Sequence, residues 1–119
     1  MVYFEISKLR ERAVGSSSDT SLDTALTNFG SQADSQIDDE LYIAANKYSK
    51  LQQLPALPLQ GAMLTQAIKD ASTDRATGLY FMWNKAVDLA KIYMDGSKKA
   101  VDAYIARIST DSEVWVDNV

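Results

Sequence analysis

The chain has 119 residues, 46% of them hydrophobic and 24% charged, with a net charge of −4. That suits one folded domain with a single core of three or four helices, and it excludes wholesale disorder. The absence of cysteine and histidine excludes disulfides, Cys/His zinc sites, Cys-His and Ser-His-Asp nucleophile systems and a histidine pH switch, leaving only oxygen-ligand metals.

Met1 to Glu5 lack the basic start and apolar stretch of a signal peptide, and no run approaches a membrane span. The chain is therefore expected in the cytosol, or in a particle assembled there. Phe4, Ile6, Leu9 and Val14 stand among charges and predict a short helix near 5–13. Gly15 to Ser18 read as a loop.

A long helix is expected from Asp19 or Thr20, both good N-caps, to Tyr48. Its apolar line is Leu22, Leu26, Phe29, Ala33, Ile37, Leu41, Ala44 and Tyr48, at helical spacings. Gly30 is its weak point and a candidate break. Asp23, Asp34, Asp38 and Glu40 occupy the polar face. The segment Leu54-Pro55-Ala56-Leu57-Pro58-Leu59 cannot be regular helix, because each proline lacks an N–H and biases its predecessor toward extended geometry.

A second long helix is predicted over 60–83, with Leu64, Ile68, Ala71, Arg75, Leu79 and Met82 in line and Trp83 beside them. A third is predicted over 86–109, with Leu89, Tyr93, Gly96, Ala100, Ala103, Tyr104 and Ile108 on one side. Residues 110–119 read as an acidic tail holding Val114, Trp115 and Val116. The expected class is all-α, a small bundle of three to four helices over 1–110 with an extended C-terminal tail over 111–119.

Charge is unevenly placed. Residues 15–45 hold six acids and no base, whereas residues 46–109 hold nine bases against five acids. Such halves suit mutual contact, within a chain or between copies. A broad nucleic-acid face would need a net basic domain.

Asp38, Asp39 and Glu40 form the densest acidic group. Consecutive helical positions point about 100° apart, so the three cannot converge on one ion. Asp34 and Asp38 do share a face at i,i+4 and make the better ion candidate, against a solvated or partner-facing surface. Lys85, Lys91, Lys98, Lys99 and Arg107 alternate with Asp88, Asp95 and Asp102 at i,i+3 and i,i+4 spacings, the pattern of a solvated, ion-paired helix, with a phosphate-contacting face as the other reading.

Leu79 to Trp83 are apolar all round, so this segment is either buried on several sides or part of an interface. Trp115 either folds back on its own core or anchors in a partner's pocket. No P-loop, dinucleotide fingerprint or glycine-rich cradle is present, and no catalytic residue, cofactor or metal site is expected.

The order of elements carries a resemblance. A short arm precedes an acidic helix holding QADSQIDDEL, then LPALPL, LTQAIKDASTDRATGLYFMWN and AVDLAKIYMDGSKKAVDAYIARI. From about residue 3 to 110 this resembles the head–tail adaptor, or connector, proteins of tailed bacterial and archaeal viruses. The tail departs from that pattern.

The resemblance implies a structural virion protein, not an enzyme. It implies a homo-oligomeric ring of twelve copies at the neck, assembled in the host cytoplasm. That ring would lie beneath the portal protein and next to tail components, with DNA passing through without sequence-specific binding and no membrane involved. Val114, Trp115 and Val116 would anchor on the portal. Asp34, Asp38, Asp39, Tyr80 and Trp83 become candidates for subunit contacts. A small helical DNA-binding or regulatory protein is the alternative, and a helical ion-binding bundle or enzyme the third reading.

Overall fold

The computed structural model describes residues 2–47 and 57–117, the side chains of 45–47 and 108–117 excepted. Among the described residues the chain is all-helical: α1 (Ile6–Val14), α2 (Asp23–Lys47), a short 3-10 turn at Gly61–Met63, α3 (Gln66–Trp83) and α4 (Val87–Asp117). Tyr48 and the residues up to Ala56, with the first proline, lie outside the described residues.

Each boundary has a local cause. α1 stops at Gly15, which takes φ 78° and returns its N–H to the Glu11 carbonyl. α2 begins four residues later than Asp19, because Asp19 spends its carboxylate on the Ser21 N–H at 2.9 Å and so closes a turn instead of a helix. α3 begins at Gln66, not Gln60, because Thr65 is the cap: its hydroxyl oxygen accepts the Ile68 N–H. Lys85, at φ 63°, turns the chain from α3 into α4.

Two expectations on breaks change. α2 runs unbroken through Gly30. The glycine is required there for space: a Cβ would run into the Phe4 ring, so the arm's phenyl fills the notch that Gly30 leaves. α4 does not stop at Ser109 but continues as helix to Asp117, through most of the segment expected as a tail.

The apolar interior has two clusters. Tyr3, Ile37, Leu41, Leu59, Ile68, Ala71, Val101 and Tyr104 form one; Phe4, Leu9, Leu26, Ala33, Ala76 and Tyr80 form the other. Each fully buried Leu or Ile contributes about 1.5–3 kcal/mol. The chain bends at Phe4, the second of the two ring-bearing residues of the arm. Tyr3 enters the first cluster and Phe4 the second, and the arm stitches them together.

On α2 five members of the predicted apolar line, Leu26, Ala33, Ile37, Leu41 and Ala44, are buried; Phe29 is half-buried, as is Leu22, which precedes the helix. On α4 the buried line is Ala90, Ser97, Val101 and Tyr104, one position beyond most of the predicted one. Leu89 is exposed, as are Gly96 and Ala103. Met82, the end of the predicted line on α3, is exposed as well.

Candidate interaction surface

The acids of α2 are mostly answered from inside the chain. Asp34 is buried and accepts three hydrogen bonds: from the Tyr3 N–H at 3.2 Å, the Phe4 N–H at 3.3 Å and the Ser72 hydroxyl at 2.5 Å. Burial pushes its carboxyl above the usual carboxylate range, while the three donors pull the other way.

Asp38 accepts the Tyr3 hydroxyl proton at 2.6 Å, and the same hydroxyl oxygen accepts the Leu59 N–H at 2.6 Å. Burial, then Asp38, raises the Tyr3 phenol well above its ordinary value, which keeps it a neutral donor. The Glu5 N–H donates to the Thr73 hydroxyl oxygen. Among the described residues there is no strand for the arm to pair with, so side chains of α2 and α3 accept its N–H groups.

A second buried junction joins all three long helices. The Arg75 guanidinium, 5% exposed, pairs with both Glu40 carboxylate oxygens and donates Nε–H to the Ser97 hydroxyl oxygen. Ser97 in turn donates to the Ala71 carbonyl at 2.6 Å. Burial lowers the affinity of Arg75 for its proton and the Asp102 charge opposes that; an arginine stays charged regardless.

The bases of α1 answer the remaining acids: Arg10 pairs with Asp23, Arg12 with Asp74 at 2.7 Å and Lys8 with Asp70 at 3.2 Å. In the acidic half, Asp23 is thus paired by Arg10 of α1 and Glu40 by Arg75, while Lys8 and Arg12 answer acids of α3; none of these pairs uses a lysine of α4. Among the described residues no ion pair joins Asp88 to Lys91, or Asp95 to Lys98 or Lys99, so the expected lacing of α4 is not formed.

These placements sort the five candidate contact residues. Asp34 is an internal acceptor, Asp38 serves the arm, and Tyr80 is buried and donates to the Ala13 carbonyl at 3.3 Å. Their side chains are committed to the interior. Asp39 and Trp83 are exposed. Asp38, Asp39 and Glu40 diverge as helical geometry requires, toward the arm, solvent and Arg75 respectively. Asp34 and Asp38 give their oxygens to donors of the arm and Ser72, and among the described residues no group of three or more acids is placed to hold a metal ion. The side chains of Val114, Trp115 and Val116 lie outside the described residues, on the last turns of α4.

What remains open is apolar. Trp83 is 60% exposed although Phe29 and Tyr80 lie against it, with ring centroids at 6.0 and 6.1 Å. Met82, Val87, Leu89 and Ile92 are exposed around the same α3–α4 corner, Ile92 to 66%. Tyr42 and Ile43 are each 62% exposed on the outer face of α2. Sequence reasoning placed Met82 and Leu89 in the core and passed over Val87, Ile92, Tyr42 and Ile43. One signal was present: α4 carries two apolar lines, and a helix apolar on more than one face has more than one neighbour. Exposed apolar clusters of this kind mark contact sites.

Among the described residues no helix is long and apolar enough to cross a membrane. No family model matches the chain, and neither a curated protein nor a solved structure matches it.

Proposed function

We propose that this protein is a structural assembly component, the head–tail adaptor of a tailed virus, which packs copies of itself into a ring beneath the portal. The observation that carries the assembly reading is the α3–α4 corner. Trp83, Val87, Leu89 and Ile92 stand in solvent beside a core that is already filled. Burying such side chains against another protein gains about 25 cal/mol per Å² of apolar surface, less the cost of association. The finer reading rests on the resemblance in the order of elements. In it, the end of α4, with Val114, Trp115 and Val116, is the portal anchor. The reading gives the chain no catalytic role.

The test is the mass of the purified protein alone and with a portal ring. The expected result is a ring multiple of the 13.1 kDa chain bound to the portal, and loss of portal binding on deleting 111–119. Undiminished binding after that deletion removes the anchor; no association in either setting removes the adaptor reading.

One observation favours a second reading. Lys91, Lys98 and Lys99 are exposed on α4 without an ion pair among the described residues, as a phosphate-contacting helix would present them. Retention of duplex DNA that falls steeply with salt would select it.

A further inference from the structure

The acceptors that hold the N-terminal arm are set without it. Ser72 donates its hydroxyl to Asp34 at 2.5 Å, from α3 to α2. Thr73 donates its hydroxyl to the Lys69 carbonyl at 2.8 Å, within α3. Neither bond involves an arm residue. The first fixes the Asp34 carboxylate, and the second leaves the Thr73 oxygen with lone pairs only. Acceptors fixed in advance are what a binding groove offers, because little ordering remains to be done when an occupant arrives.

The segment in the groove is short, and its atoms are recognised singly. A bend at Phe4 turns two successive N–H groups, those of Tyr3 and Phe4, onto the one carboxylate of Asp34. The Glu5 N–H goes to Thr73 at 2.9 Å. The Tyr3 hydroxyl donates to Asp38 and accepts the Leu59 N–H, each at 2.6 Å, two bonds that a phenylalanine could not make. Phe4 occupies the space left by the missing Cβ of Gly30. Val2 is already exposed, so ahead of α1 the contact is confined to Tyr3, Phe4 and Glu5.

We propose that this seam is a recognition groove for a short non-helical segment carrying tyrosine followed by phenylalanine, and that the arm is an autoinhibitory strap displaced by such a segment of a partner protein. The groove's acceptors face three consecutive free N–H groups, which a helix interior has already used and a nucleic acid lacks. The order of the rings is selected as well. With the rings reversed, the Asp38 carboxylate and the Leu59 N–H lose the hydroxyl between them, a cost of about tenfold or more in affinity. The arm is tethered beside the groove through α1, so it holds the site against a dilute competitor. The inference goes beyond the assembly reading and does not rest on it, since it uses none of the exposed apolar residues of the α3–α4 corner.

The probe is a peptide of residues 2–7, Val-Tyr-Phe-Glu-Ile-Ser, blocked at both ends, with its Phe-Tyr reversal as the comparison. The host is the full chain carrying Tyr3→Ser and Phe4→Ser, which empties the groove, beside the wild type. Calorimetry reads affinity and circular dichroism reads helix content. The peptide is expected to bind the variant about tenfold or more tighter than it binds the wild type, and about tenfold or more tighter than the reversed peptide does. No binding to the folded variant, equal binding of the two peptides, or equal binding to variant and wild type would each overturn the proposal. Should the variant lose its helix content, the wild type carries the test. Excess peptide is then expected to make Tyr3 reactive toward hydroxyl radicals, while the reversed peptide leaves it protected. Tyr3 protected at every peptide concentration would overturn the proposal and leave the assembly reading standing.

Discussion

The seam between the N-terminal arm, α2 and α3 and the outer corner of α3 and α4 are opposites. In the seam, charged side chains that look made for a surface are turned inward and answered: buried Asp34 by two backbone N–H groups and Ser72, half-buried Glu40 by buried Arg75. At the corner, apolar side chains that look made for a core stand in solvent: Trp83, Leu89 and Ile92. The difference teaches that residue type does not assign inside or outside here; the presence of a partner does. The arm brings unpaired N–H groups that need acceptors, and carboxylates supply them. At the corner, Phe29 and Tyr80 lie against Trp83, yet among the described residues nothing covers Trp83, Leu89 and Ile92.

The largest effect is expected in the seam. Arg75→Ala removes the cation between Glu40 and Ser97 and leaves a partly buried carboxylate and hydroxyl without their donor. Breaking a buried pair from one side costs about 3–5 kcal/mol, and the partial exposure of Glu40 places this case near 3. Chemical denaturation checks it; a loss under about 1 kcal/mol would show that water replaces the guanidinium and that the junction is not closed.

Asp34→Asn comes next. An amide oxygen can keep part of the acceptor set, but its NH2 meets an N–H donor, so a loss of about 1–3 kcal/mol is expected. The pH dependence has a definite sign. A carboxyl raised above its ordinary 3.8 binds its proton more tightly in the fold than in the unfolded chain. Its contribution to stability therefore falls as pH rises through the window between 3.8 and the raised value, and grows on acidification. The stability difference between wild type and Asp34→Asn should widen as pH drops through that window. A difference that narrows would mean that the three donors outweigh burial.

Glycine substitutions sharpen the same contrast with smaller effects of opposite sign. Gly30→Ala drives a Cβ into the Phe4 ring, and the overpacking cost of about 1–3 kcal/mol exceeds the gain of about 1 kcal/mol in helix propensity, a net loss. Gly96→Ala meets nothing within 4 Å and keeps the propensity gain, a net stabilisation of about 0.5–1 kcal/mol. Thermal melts of the two variants check the signs.

How much of this was legible follows from particular residues. The apolar line of α2 was legible because one face is buried along its length, and so was the divergence of Asp38, Asp39 and Glu40, which is fixed by helical geometry. The inward turn of Asp34 and Asp38 was not: their partners are the backbone of Tyr3 and Phe4 and the Tyr3 hydroxyl, about thirty residues away in sequence. No local pattern marks a carboxylate as the acceptor for a distant arm.

The buried face of α4 was misread by one position for a different reason. Leu89 stands next to Ala90, Gly96 next to Ser97 and Ala100 next to Val101, so two neighbouring lines have similar hydropathy. Ala90 and Ser97 take the inner line, and the hydrogen bonds of Ser97 to Ala71 and Arg75 fix that register. Periodicity cannot see those bonds. Leu89 is then exposed as a member of the line left over.

The smallest expected effect is on the stability of the single chain. Leu89→Ser and Ile92→Ser should each change monomer stability by no more than about 0.5 kcal/mol, because neither side chain is buried. A loss of 2 kcal/mol or more in the dilute monomer would place those side chains in a core and remove the corner as a contact surface.

The central claim is that the seam is closed within one chain and the corner only between chains. Hydroxyl-radical footprinting at dilute and at assembling concentrations tests it most directly, because it reads aromatic and sulfur side chains one by one. The account predicts Tyr3 protected at both concentrations, with Trp83, Met82 and Tyr42 modified in the dilute protein and protected on assembly. Modification of Tyr3 as fast as Tyr42 in the dilute protein, or Trp83 and Tyr42 equally reactive at both concentrations, would contradict it.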